Sequence, residues 1–158
     1  MALNDAGVAI RLLTAADAAA WVDMRHALWP DHSRAELAAE LTVLTARSDF
    51  AAFGIRDGAT GAWLGLIEVG ERSIAEGCDT SPVGYIEGLW VDASVRRRGL
   101  ARRLVARAIA WATERGYAEL GSDTDIENTL SERVHARLGF TETERLVTFR
   151  MDLRPAKA

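Results

Sequence analysis

The sequence predicts an α/β (α+β) fold, a single domain over residues 1–153 followed by a flexible tail at 154–158. Three observations lead there. A chain of 158 residues with 49% hydrophobic content suits one sizeable core, not two. Short apolar runs bounded by Gly, Pro and polar residues alternate with longer stretches whose apolar residues recur at helical spacing. The resulting order is β-α-α-β-β-β-α-β-α-β, with no repeat, linker or low-complexity run to divide it.

Val8 to Leu13 reads as the first strand. Thr14 and Asp17 then form a helix-opening box ahead of Ala18 to Leu28. Trp29-Pro30 ends that helix, because Pro restrains the residue before it. A second helix is expected from about Ser33 to Ala46, with Leu37, Leu41 and Leu44 on one apolar face. Phe50 to Arg56 and Trp63 to Gly70 read as strands around a turn holding Asp57-Gly58 and Gly61. Residues 71–83 form a polar loop ending in Ser81-Pro82, and Val83 to Val91 is a strongly apolar strand interrupted by Gly88.

The third helix carries the clearest stripe, Leu100, Leu104, Ala108, Trp111 and Ala112, and Arg115-Gly116 stops it. Glu119 to Asp123 is a short strand. A fourth helix covers Thr129 to Leu138 with Leu130, Val134 and Leu138 inward. Its start is either an Asn128 cap or a Thr129/Glu132 capping box. Gly139 ends it, and Glu142 to Leu153 is expected to close the fold with one or two strands.

Composition removes several functions. A net charge of −4 argues against a protein whose main task is coating nucleic acid. One cysteine, Cys78, provides neither a disulfide framework nor a thiolate cluster. The three histidines at 26, 32 and 135 have no ligand-like spacing, so no metal is expected. No run approaches the ~20 apolar residues of a membrane span, and the N-terminus does not resemble a secretory signal. A cytoplasmic location is the default, with neither membrane nor nucleic acid as partner.

The charge is unevenly placed. Arg96, Arg97, Arg98, Arg102 and Arg103 fall within eight residues on a background of scattered acids. Val91-Asp-Ala-Ser-Val-Arg96-Arg-Arg-Gly99-Leu-Ala101-Arg102 joins an apolar strand to a helix. The first turn of a helix leaves about four N–H groups without partners at its positive end. Gly99 and Ala101 allow a ligand to approach them, and the arginines add charge-assisted bonds. The segment therefore reads as a pyrophosphate site. It is not a Walker loop, since no Gly-Lys-Ser/Thr follows, nor the dinucleotide fingerprint, whose first glycine is missing.

Arg96-x-x-Gly99-x-Ala101 with its preceding strand, and Asn128 with Leu138-Gly139-Phe140 downstream, resemble the GNAT acetyltransferase superfamily over about residues 83–140. Further segments resemble its aminoglycoside 6′-N-acetyltransferases. These are Leu28-Trp29-Pro30, Gly77-Cys-Asp-Thr-Ser-Pro-Val83, Glu87-Gly88-Leu-Trp-Val91, Ser122-Asp123-Thr124, and Glu127-Asn128-Thr129 running on to Phe140-Thr-Glu-Thr-Glu144-Arg145. The resemblance implies a mostly antiparallel central sheet with helices on both faces. It implies acetyl-CoA as co-substrate, a homodimer, and transfer to the 6′-amino group of an aminoglycoside, conferring resistance. Strand 83–91 would splay from strand 119–123, with the pantetheine arm in the gap along Leu89, Trp90 and Val91. The turn of Arg97, Arg98, Gly99, Leu100, Ala101 and Arg102 would hold the pyrophosphate, and Asn128 would bond the pantetheine or orient near the thioester. Trp29, Glu87, Asp123 and Glu144 would contact the aminoglycoside, with His32 and Asp79 nearby.

The acids suit that acceptor. Glu87 stands in Tyr85-Ile-Glu-Gly-Leu-Trp-Val91, where a carboxylate is out of character unless it meets a cation or a wet cleft. Asp123 follows a short strand, where open sheets tend to place ligands. Several carboxylates offer a polycationic amine several charge-assisted bonds. They also hold the amine's proton, so one must accept it before attack. Glu87 is the expected base and Asp123 its rival. His135 stands four residues before the Gly-Phe step of Gly139-Phe140 (counted from Gly139), where the family carries a tyrosine, and is a candidate acid for the leaving thiolate. Cys78 has no adjacent histidine, and the resemblance implies direct transfer. Two other readings remain. One is an N-acetyltransferase for a polyamine or another small amine; the other is a non-catalytic acyl-CoA-binding sensor.

Overall fold

Residues 7–154 are described by a computed structural model. Five strands run β1 Val8–Leu12, β2 Phe50–Asp57, β3 Trp63–Arg72, β4 Val83–Val91 and β5 Leu120–Ser122, and they stand in that order across one sheet. The first four are antiparallel neighbours, and only β4 and β5 run parallel. The mixed, mostly antiparallel sheet expected above is therefore present. So are the helices α1 Ala18–Leu28, α2 Arg34–Leu44, α3 Leu100–Glu114 and α4 Thr129–Leu138.

Two helix starts are set by local chemistry. Ser33 accepts from the Glu36 N–H at 3.3 Å while the Glu36 carboxylate accepts from the Ser33 N–H at 2.9 Å, a reciprocal capping box. At α4 the Asn128 side chain accepts from the Ser131 N–H at 3.1 Å, so of the two starts considered, the Asn128 cap is the one formed. The Thr14/Asp17 box opens a short 3₁₀ turn at Ala15–Asp17 that leads into α1.

α1 and α2 cover one face of the sheet. Trp21, Met24, Leu37 and Leu41 pack there against Phe50, Ala52 and Leu66. α3 covers the opposite face. Leu104 presses on Gly65, the Arg107 guanidinium lies over the Phe53 ring, and Ala112 meets Gly84. The stripe Leu100, Leu104, Ala108, Trp111, Ala112 is buried as expected.

The β3–β4 ladder contains one irregularity, and it shapes the site. Gly88 stands opposite Glu68 and Ile86 opposite Val69, which leaves Glu87 with no partner on β3. Such a bulge re-aims a side chain and frequently lies beside a functional site. Without it, residues 86 and 88 would share a face. With it, Tyr85, Glu87 and Gly88 all lie on the face covered by α1 and α2.

Beyond Asp123 a second, smaller compact unit begins at Thr124. It contains α4, ended by Gly139 at φ 98°, where a left-handed turn favours glycine. Leu130, expected inward, is exposed. The closing strands expected at Glu142 to Leu153 are absent, since residues 141–153 form no strand. Their sequence has the alternation of a strand, with Val147, Phe149, Met151 and Leu153 on one side. A strand, however, is defined by a ladder of paired N–H and C=O groups. The sheet ends at β5 among the described residues. Apart from Arg154, the expected tail lies outside the described residues. No helix among those described is long and apolar enough to cross a membrane, and no group of three or more metal-ligating side chains is gathered there.

Candidate active site

β4 is the spine of the site. It pairs with β5 only from Gly84 to Ile86, opposite Leu120 to Ser122, and then continues alone on that side to Val91. Its edge from Glu87 through Leu89, Trp90 and Val91 is thus unpaired where β5 stops. An open strand edge offers N–H and C=O groups to an extended ligand.

Where β4 ends, the basic turn begins. A 3₁₀ turn at Ala93–Val95 leads into residues 96–99, where Arg97 has φ 62° and Gly99 φ 79°. Both left-handed residues fold the turn back so that α3 starts at Leu100 with no side chain capping it. The space above Gly99 is open, with no atom within 4 Å of where a Cβ would stand. Arg96 braces the turn by donating Nε to the Val91 carbonyl at 3.2 Å. Arg97, Arg98 and Arg102 are exposed, Ala101 is half-buried, and Leu100 contributes only its backbone because its side chain is in the core. First-turn N–H groups, an open approach and exposed guanidiniums at the end of an unpaired strand are the features that suit an anion.

Glu87, half-buried, meets a cation. Arg72 donates Nε and Nη2 to its two oxygens at 3.1 and 2.6 Å. The same guanidinium lies 3.5 Å from the centroid of the Tyr85 ring. Burial first, and the Asp123 carboxylate second, push the Tyr85 phenol well above its usual range, so it stays protonated. Glu87 and Asp123, placed on separate strands by the sequence, are thereby linked through Arg72 and Tyr85.

Trp29 completes this face. Its indole lies over Gly88, and the Arg25 guanidinium lies 5.0 Å from the ring centroid. Arg25 is buried, with Nη1 3.0 Å from Glu40 and Nε 3.1 Å from Glu68. The second contact is an ion pair out of hydrogen-bond alignment. Glu68 is 1% exposed and accepts from the Trp21 indole N–H at 2.6 Å. Burial raises its pKa, opposed chiefly by Arg25.

Other expected residues stand elsewhere. His32 is exposed just after Trp29, its N–H donated to the Trp29 carbonyl at 3.2 Å. Asp79 is exposed on the loop before β4, where its backbone N–H is tied to the Glu119 carboxylate at 2.9 Å. Asn128, His135 and Glu144 belong to the second unit. The His135 Nδ1 lies 2.8 Å from the Ser131 carbonyl and so carries the hydrogen, and the ring meets Phe140 edge-on. Glu144 is exposed. Cys78 is half-buried, and burial pushes its thiol up, the reverse of an activated nucleophile.

Arg72, Tyr85, Arg25 and Glu68 were not singled out by sequence. Glu68 was accessible to the same criterion as Glu87, a carboxylate inside the apolar run Leu64–Gly70. Arg72 gave no comparable signal, because its side chain reaches Glu87 only once β3 and β4 pair, whereas Tyr85 shares the face of Glu87 by strand alternation.

The model of the acetyltransferase (GNAT) family matches residues 21–140. The chain belongs to the GNAT acetyltransferase family. Among curated relatives of this GNAT chain, an aminoglycoside N(6′)-acetyltransferase type 1 of Serratia marcescens is 44% identical over 135 residues, covering 85% of the chain and 92% of the relative. Another of the same name, from Stenotrophomonas maltophilia, is 40% identical over 93% of the chain and 95% of the relative. Among solved structures, the acetyltransferase AAC(6′)-Iy in complex with the bisubstrate analogue CoA-S-monomethyl-acetylneamine is similar with a TM-score of 0.86 and 36% identity. That match covers 92% of this chain and 98% of that one. AAC(6′)-Ih from Acinetobacter baumannii gives 0.87 and 31% identity over 94% and 100%.

Proposed function

We propose that this GNAT protein transfers the acetyl group of acetyl-CoA to the 6′-amino group of aminoglycoside antibiotics, and so confers resistance to them. The carrying observation is the join of two unlike surfaces along β4. An open edge leads to a basic turn, and the carboxylates of Glu87 and Asp123 sit beside the edge's other end. The relatives' names and the bisubstrate complex of a similar structure support the same pairing of cofactor and acceptor.

Acetyl-CoA supplies the activated thioester. Residues 97–102 suit its diphosphate, because the first-turn N–H groups of α3 have no side-chain cap, Gly99 leaves open space and the neighbouring arginines are exposed. The β4 edge at Leu89–Val91 fits an extended arm lying as an added strand. An N–H of that edge, that of Leu89 by preference, is placed to stabilise an oxyanion. Asn128, at the head of α4, serves the same arm in this reading.

The acceptor is a polycation, and Glu87, Asp123 and Glu144 are its anionic partners, with Trp29 as a wall for a sugar ring and His32 and Asp79 at the margin. In the reaction the bound ammonium gives up a first proton, its nitrogen bonds to the acyl carbon, the C–S bond breaks, the nitrogen loses a second proton, and the thiolate takes one up. Glu87 accepts the first proton directly or through water, with Asp123 as second candidate, and His135 donates the last. Holding the reactants in line supplies much of the rate.

The enzyme is read as a cytoplasmic homodimer. Val147, Phe149, Met151 and Leu153 support that assembly, because four large apolar side chains stand 79–92% exposed on a single chain.

The test is thiol release from acetyl-CoA by the purified protein with kanamycin or tobramycin, beside spermidine. Release with the aminoglycosides is expected. Reaction with spermidine alone would move the assignment to a polyamine acetyltransferase, and saturable cofactor binding without turnover on any amine would make the protein a sensor.

A further inference from the structure

Carboxylates that bind an ammonium also oppose its reaction, since they stabilise the protonated nitrogen that cannot attack. The site holds a built-in counterweight. Arg72 closes β3, occupies both oxygens of Glu87 at 3.1 and 2.6 Å, and lies 3.5 Å from the Tyr85 ring centroid. The Arg72 side chain is 36% exposed and that of Glu87 29%, so the pair is open to a ligand arriving from solvent. Other charged groups bear on it from each neighbouring element. Arg47, from the segment after α2, senses Glu87 but is paired with Asp49. Glu68 on β3 is buried against Arg25. Asp123, after β5, acts on both Arg72 and the Tyr85 hydroxyl. Among these groups, Arg72 is the cation in direct contact with Glu87.

Resting on the acetyltransferase reading above, we propose that Arg72 is a charge-balancing residue that keeps the acceptor amine at Glu87 in its neutral, nucleophilic form. A carboxylate has about four lone-pair sites, so Glu87 bound by Arg72 still accepts from an amine. The neighbouring guanidinium disfavours a second positive charge there, and the amine's first proton leaves more readily, by way of Glu87 or its water and on to solvent. Arg72 thus trades ground-state affinity for turnover, a different role from holding the substrate.

The experiment compares wild type with Arg72→Met, Arg72→Gln and Arg72→Lys, each checked by thermal melting. Steady-state acetylation of kanamycin is followed from about pH 6 to about pH 10. Removing the charge is expected to lower KM for kanamycin several-fold and kcat near neutral pH about tenfold. The rising limb of kcat should move alkaline by about one unit, and the rates should converge with wild type at high pH. KM for acetyl-CoA should hold, and Arg72→Lys should restore the wild-type profile. Arg72→Gln keeps a neutral donor where Arg72 has Nε, so it carries the same readout if Arg72→Met does not fold. A fall in kcat that is equal at every pH, or a rise in KM for kanamycin, overturns the proposal and leaves Arg72 as a brace for Glu87. Wild type that acetylates no aminoglycoside at any pH defeats the functional reading itself, a separate outcome.

Discussion

Gly88 lies directly beneath the indole of Trp29, so that a Cβ at residue 88 would stand 2.8 Å from the ring and 2.9 Å from Leu28. The interruption of an apolar strand by glycine thus has a steric cause: the end of α1 rests on bare backbone next to Glu87. Gly88→Ala is expected to displace Trp29, at a cost of about 1–3 kcal/mol in stability. KM for the aminoglycoside should rise roughly tenfold, equivalent to about 1.4 kcal/mol, with KM for acetyl-CoA unchanged. Steady-state kinetics with each substrate varied in turn checks both.

Glu68→Ala leaves Glu40, among the described residues, as the one carboxylate beside the buried Arg25 guanidinium and the Trp21 indole N–H without its acceptor. A loss of about 3–5 kcal/mol is expected, the usual result of breaking a buried pair, measurable by urea unfolding. Glu68→Gln gives the pH sign. Because the folded state raises the Glu68 pKa, the carboxyl's contribution is fully present below its unfolded value and lost as pH rises through the folded one. The glutamine variant has no such loss. Its stability relative to wild type should therefore increase as pH rises through that window.

Glu87→Gln removes the proposed base while keeping an acceptor and a donor of the same shape. A fall in kcat of about 100-fold is expected, with coenzyme A affinity intact by calorimetry. Unchanged turnover would transfer the role to Asp123.

Gly99→Ala puts a side chain at φ 79°, which costs about 1–2 kcal/mol for an L-residue in the left-handed region. The space there is open, so the chain should still fold while the turn shifts. Coenzyme A binding should weaken roughly tenfold, and isothermal calorimetry reads it.

Much of the architecture was legible from residue order because it rests on local chemistry. Ala18–Leu28, Val83–Val91 and Thr129–Leu138 have the expected limits, each marked by a cap, a proline or a glycine acting within a few residues. The basic turn was legible for the same reason, since a strand, a glycine and a helix start are consecutive in sequence. The closing strands were misread because period-two alternation states what a strand would bury, not which edge would pair with it.

The sequence by itself determined the helices, the basic turn and the presence of a carboxylate in an apolar strand, all consequences of neighbours along the chain. Only the tertiary structure decided what Glu87 meets. A one-residue bulge in the β3–β4 ladder leaves it unpaired and brings Gly88 to its face, its charge is matched by Arg72 from 15 positions away, and Asp123 bears on Tyr85 beside it. Register and long-range ion pairs arise when strands meet in space, and no local pattern encodes that meeting.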